Sequence, residues 1–187
     1  MPTQPIRLEI LLGSVREGRF GPVVADWFLR RAGQHPAFDA VLLDLADTPL
    51  PLDHAGTPDV ERFRRRVAAA DAFVMVTPEY NHGYPAALKN AIDTAKEEWR
   101  AKPVGFVSYG GLSGGLRATE QLRLVAAEVH MISVRQTVSF HRARKRFDAD
   151  GETSDGAAID GADRMLDQLA WWAAAARDAR AERPYPA

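Results

Sequence analysis

Residues 72–77, Ala-Phe-Val-Met-Val-Thr, form an almost unbroken apolar run that stops at Pro78. The run is too short for a buried helix and lacks the polar alternation of a strand with one wet face. It reads as a strand covered on both sides, the normal condition in a parallel sheet. Such a sheet needs a helical layer on each face, and this limits what the rest of the chain can be.

The flanking sequence fits that requirement. Further strands are expected at Ile6–Leu12, Ala40–Leu45, Val104–Ser108 and Met131–Val134. Helical spacing falls between them, over Pro22–Ala32, Asp59–Ala70, a segment starting near Pro85, and a segment running from the glycines at 110–115 to Glu128. Val23, Val24, Trp27 and Phe28 form one apolar helix face, and Leu88 and Ile92 another. After Val134 the regularity is expected to fail, through a basic cluster (Arg142–Arg146) and a polar loop (Asp148–Gly156). A last helix follows over Ala158–Arg180, with Met165, Leu166, Leu169, Trp172 and Ala173 on its apolar face. Alternating strands and helices predict a doubly wound, flavodoxin-like α/β fold with strand order 2-1-3-4-5, as a single domain over residues 1–187.

Composition removes several functional classes. The formal net charge of −1 does not suit a dedicated nucleic-acid binder. With no cysteine there is no disulfide, thiolate metal site or cysteine nucleophile. The start of the chain lacks the pattern of a signal peptide, and no apolar run is long enough to span a membrane. The expectation is a cytoplasmic protein with no membrane or nucleic-acid partner.

In order 2-1-3-4-5 the strand sequence reverses between the first and third strands, and ligands bind outside the carboxyl ends there. The loops after strands one, three and four should therefore meet. The first, Gly13–Gly21, carries Ser14, Arg16, Arg19, Phe20 and three glycines just before a helix. Backbone N–H groups, a helix N-terminus and arginines together suit a phosphomonoester. The loop has neither the Walker pattern nor Gly-x-Gly-x-x-Gly, which disfavours a tightly held dinucleotide. In the second loop, Pro78-Glu79-Tyr80-Asn81-His82-Gly83, Pro78 and Tyr80 offer a face for a flat ring, and the peptides of residues 81–83 offer donors for its edge. For Tyr80 or Tyr84 taken alone, ordinary packing against neighbouring helices is the better reading, and His82 reads as a solvated loop residue with no partner that would make it a base. The third loop, from Ser108 through Gly110 and Gly111 to Gly115, lies where it can approach the same ring.

Three segments together, Gly13-Ser14-Val15-Arg16, Pro78-Glu79-Tyr80-Asn81 and Leu88-Lys89-Asn90-Ala91-Ile92-Asp93, resemble the NADPH-dependent FMN reductase family, as does Tyr109-Gly110-Gly111 with Gly114-Gly115-Leu116-Arg117. The likeness runs from about Ile6 to Val134. It implies an FMN phosphate held by Ser14, Arg16 and the residues around Arg19, Phe20 and Gly21. It implies an isoalloxazine held by Pro78, Glu79, Tyr80, Asn81, His82 and Gly83 and bordered by Ser108, Gly110 and Gly111. Many members carry Ser or Thr where this chain has Arg19, and Asn where it has Gly21. The implied chemistry is hydride transfer from NADPH or NADH to FMN and onward to a small electron acceptor, with no acid, base or nucleophile required from the protein. A homodimer or homotetramer is also implied.

The competing reading is a flavodoxin-type one-electron carrier. Such carriers have a Ser/Thr-rich phosphate loop without arginine and a strong negative charge, unlike this chain. The basic cluster Arg142–Arg146 is read as a solvated loop or subunit contact, with the 2′-phosphate of NADPH as its functional alternative. Adjacent Trp171 and Trp172 are expected on different sides of their helix, one packed on its own subunit and one free for a partner.

Overall fold

The computed structural model describes residues 4–186. Met1, Pro2, Thr3 and Ala187 lie outside the described residues, so the reading of the extreme N-terminus stays with the sequence.

Five parallel strands form one sheet: β1 (Ile6–Leu12), β2 (Phe38–Asp44), β3 (Ala72–Pro78), β4 (Pro103–Gly110) and β5 (Ile132–His141). Their order is β2-β1-β3-β4-β5. The helices are α1 (Gly21–Gln34), α2 (Pro58–Ala69), α3 (Ala86–Thr94), α4 (Leu116–Glu128) and α5 (Gly156–Glu182).

Every residue of β3 is buried. Its side chains alternate between two cores, as the two-residue period of a strand demands. Ala72, Val74 and Val76 join Trp27 and Phe28 of α1 and Met165 and Leu169 of α5. Phe73 and Met75 join Phe63 of α2, Leu88 and Ile92 of α3, and Leu122 of α4. Glu9 on β1 is also fully buried, between Arg7 at 3.0 Å and Arg66 at 2.7 Å. Truncating either arginine would weaken the compensation of a buried charge.

Three sequence expectations are corrected. β4 continues past Ser108 to Gly110, so Tyr109 and Gly110 are strand residues as well. β5 continues past Val134 to His141. It is the edge strand, only three of its ten positions are buried, and its pattern is accordingly polar; pairing with β4 and packing of Val138 and Phe140 decide it. Trp172 is 39% exposed and Trp171 65%, and their rings stack edge-on at 4.9 Å instead of one entering the core. Among the described residues, no helix is long and apolar enough to cross a membrane.

Candidate functional site

The chain turns sharply at the ends of β1, β3 and β4, and these ends share one edge of the sheet. Gly13 N–H donates to the Val76 carbonyl at 2.9 Å, tying the first loop to β3. Pro78 and Tyr109 are register partners, so the second and third loops leave the sheet side by side. A cleft of about 420 Å3 opens there, lined by Arg16, Arg19, Phe20, Pro78, Glu79, Tyr80, Gly110 and Gly111 of the expected residues. That size falls within the usual range for cofactor sites.

In the first loop, residues 14–20, only Arg19 donates its backbone N–H to a protein acceptor, Arg16 O at 3.3 Å, among the described residues. Such a run of open donors before a helix N-terminus suits an anion. Ser14 is fully buried behind the cleft, and its hydroxyl pairs with that of Tyr80 at 2.7 Å. Arg19 does not hang free. Its guanidinium grips Asp44 through both nitrogens, at 2.7 and 2.5 Å, and also donates to the Ser14 carbonyl. The Asp44 hydrogen bond, more than its charge alone, outweighs desolvation and raises the Arg19 pKa. Arg16 extends the other way, its guanidinium 5.5 Å from the Tyr80 ring centroid.

The second loop is a tight turn. Tyr80 and Gly83 exchange both backbone hydrogen bonds, at 2.9 and 3.0 Å. Asn81 and His82 between them have φ of 49° and 72°. Two left-handed central residues define a type I′ turn, a geometry in which Asn is well tolerated. The turn leaves the Asn81 and His82 N–H groups without a protein acceptor among the described residues. Gln121 of α4 braces it, donating to the His82 carbonyl at 2.9 Å. Asn81, His82 and Gly83 stand beside the cleft and do not line it.

Glu79 links this loop to α4. Its carboxylate accepts from the Arg117 N–H at 3.1 Å and the Arg117 guanidinium at 2.6 Å. Desolvation opposes its charge, but Ser113 and Arg117 outweigh it and hold the carboxyl below its usual range. Glu79 therefore serves as a remote cap, since Gly115 at the start of α4 has no side chain to do so. Gly115 is required there: φ is 88°, and a Cβ would stand 2.7 Å from Ser108 Cβ. The buried Ser108 hydroxyl donates to the Gly114 carbonyl at 2.9 Å and shapes this turn without lining the cleft.

Two sets of lining residues were missed from sequence. Tyr109 was read as part of a glycine turn, yet its ring forms a wall and meets Phe20 edge-on. Its hydroxyl is buried without a hydrogen-bond partner among the described residues. Burial, then the neighbouring Tyr80, pushes its ionisation well above the ordinary tyrosine range, against a smaller opposing effect of Ser14. The second set is Arg142, Arg144 and Lys145: the basic cluster is exposed to solvent, as a surface loop would be, and it also stands at the cleft mouth. The cluster itself was visible in sequence; its position depended on the unforeseen length of β5. Among the described residues, no group of three or more His, Cys, Asp or Glu is placed to hold a metal ion.

A parallel sheet in this order, with a loop of open N–H groups and a cleft of about 420 Å3 at its switch point, defines the flavodoxin-like class. Residues 6–145 match the family described as NADPH-dependent FMN reductase, and the chain belongs to that family. An NAD(P)H-dependent FMN reductase of Schizosaccharomyces pombe is 41% identical over 136 residues, covering 67% of this chain and 68% of the yeast protein. An NADPH:quinone oxidoreductase of Arabidopsis thaliana is 33% identical over 162 residues, covering 80% and 83%. Among solved structures, the flavoenzyme NAD(P)H:(acceptor) oxidoreductase FerB of Paracoccus denitrificans superposes with a TM-score of 0.73 over 91% of this chain and 98% of its own; at 23% identity it speaks for the fold.

Proposed function

We propose that this protein is an NAD(P)H-dependent FMN oxidoreductase that passes reducing equivalents from NADPH or NADH to a small acceptor such as a flavin or quinone. The observation that carries the reading is one cleft with a loop of open N–H groups and Arg16 at one end and a slot between Pro78–Tyr80 and Tyr109–Gly111 at the other.

The residues present fit FMN. The open N–H groups of the first loop and Arg16 would hold its phosphate, with Arg19 shaping the loop from its pair with Asp44. The Tyr109 hydroxyl, buried and unpartnered, is the kind of group a bound ligand satisfies. Tyr80 and Pro78 on one side and Gly110 and Gly111 on the other would flank the ring, with the open Asn81 and His82 N–H groups beside the cleft. FMN, when bound, supplies the hydride chemistry. The protein's part is to orient the ring, limit water at its flanks and offer positive potential to anionic partners.

Membership of a reductase family and the arginines of the first loop favour this reading over a one-electron carrier. One domain over residues 1–187, a cytoplasmic location and a homodimer or homotetramer complete the proposal. The absence of cysteine agrees with the location. The exposed Trp171–Trp172 pair supports association, because paired indoles are costly to leave in water.

The deciding experiment is anaerobic spectroscopy of the FMN-loaded protein before and after NADPH, then NADH. Rapid full bleaching supports the reductase and gives the nicotinamide preference. Bound flavin that stays yellow, or stops at one electron, overturns it.

A further inference from the structure

The loop after β1 carries two arginines, but only one of their charges is open. Arg19 is already balanced by Asp44. Arg16 leans toward Tyr80 on the other wall. A phosphate monoester brings close to two negative charges at neutral pH. Charge balance at this end of the cleft calls for another cation.

The segment after β5 supplies one. Arg142 turns the chain with φ of 52°, and its N–H donates to the Gly111 carbonyl at 2.7 Å. A single 3-10 turn, Ala143–Lys145, then crosses the cleft mouth, anchored by the buried Ala143. Arg144 reaches the far side, where Nη2 donates to the Gly18 carbonyl at 3.3 Å and the guanidinium lies 5.1 Å from the Phe20 ring centroid. One strap thus touches the wall at Gly111 and the anion loop at Gly18. Of the four cations in residues 142–146, only Arg146 meets a carboxylate, Asp155 at 3.9 Å, among the described residues. Arg144 is exposed, and its one contact with Gly18 leaves most of its five N–H donors open.

Resting on the flavin reading above, we propose that Arg144 is a ligand of the FMN phosphate, delivered from the end of β5 to a loop 126 residues away in the chain. The strap makes the site selective for the phosphorylated flavin. Its contact with Gly18 and Phe20 favours this role over recognition of the nicotinamide cofactor, because both residues belong to the anion loop.

The test is equilibrium binding of FMN and of riboflavin, followed by flavin fluorescence, to wild type, R144Q and R144K, with circular dichroism to check folding. R144Q should lose about tenfold in FMN affinity, the scale of one charge-assisted hydrogen bond, and keep its riboflavin affinity. R144K should retain part of the difference, as a point charge without the planar fork. Equal loss for both flavins would make Arg144 a structural brace and overturn the proposal. Unchanged FMN binding with a raised KM for NADPH relative to NADH would also overturn it, by assigning the strap to the 2′-phosphate. If wild type bound neither flavin, the flavin reading itself would fall, and this proposal with it.

Discussion

Ser14 and Tyr80, one past the end of β1 and one past the end of β3, are joined hydroxyl to hydroxyl at 2.7 Å. The bond fastens the loop after β1 to the loop after β3. Tyr80→Phe removes one partner and leaves a fully buried serine hydroxyl behind. The expected loss is about 1 kcal/mol, read as a lower denaturant midpoint with unchanged m-value. FMN binding should weaken as the two loops lose their tie. Ser14→Ala should cost less, because Tyr80 is half-exposed and can turn to water. A larger loss from Ser14→Ala than from Tyr80→Phe would contradict this account.

Arg19 and Asp44 hold the same loop from below, each with only 16% of its side chain exposed. Asp44→Asn keeps the shape and removes the charge. Arg19 then becomes a second open cation, and the salt dependence of FMN binding should steepen. Arg19→Gln should lower stability by about 1.5–3 kcal/mol, because charge-assisted bonds are lost and Asp44 is left half-buried. Urea unfolding and FMN titrations at two ionic strengths check both outcomes.

Tyr109 carries a hydroxyl with no hydrogen-bond partner among the described residues, so its removal should not hurt the protein without flavin. Tyr109→Phe is expected to leave apoprotein stability unchanged or raise it by up to about 1 kcal/mol, while weakening FMN binding. Gly21→Ala acts on the same contact: the added Cβ would meet the Tyr109 hydroxyl at 2.6 Å and Leu12 Cδ1 at 2.7 Å. It should destabilise by about 1–3 kcal/mol. The double variant should recover part of that in thermal unfolding. Full additivity would mean the hydroxyl is not the obstacle.

Lys102 is buried, and its ammonium donates to the Val67 and Ala68 carbonyls at the end of α2, at 2.7 and 2.8 Å. Desolvation, with the nearby Arg180, pushes its pKa down to about 8, against smaller effects of Asp71 and Glu98. The folded state therefore releases this proton more readily than the unfolded chain does. Its contribution to stability is fully favourable above the unfolded pKa, near 10.5, and is lost as pH falls through about 8. The denaturant midpoint of wild type should rise relative to that of Lys102→Met between pH 8 and 10. The full span amounts to roughly 3 kcal/mol by the conversion of pKa units to free energy. Parallel midpoints for the two proteins would rule it out.

Much of this architecture was legible because it rests on local pattern. The run from Ala72 to Thr77 had to be a two-sided strand, and the topology that follows led to the three loops at the switch point. The apolar pattern of β5 stops at Val134, although the strand runs on to His141, because edge strands are half-wet and lose the apolar signature on which strand reading depends. Trp172 was assigned to the core on spacing alone, and spacing does not say how far a long helix extends beyond the layer it covers.

The sequence by itself determined the strand and helix alternation, the loops that meet at the cleft and the family, because each depends on residues close together in the chain. Tertiary structure decided how the charges are used. Asp44 lies at the end of β2 and neutralises Arg19 in the loop after β1, while Arg144 comes from beyond β5 to stand open beside that loop. An arginine in a loop is a free cation or a paired one according to what the sheet brings beside it, and that depends on strand order and strand length, which no local pattern encodes.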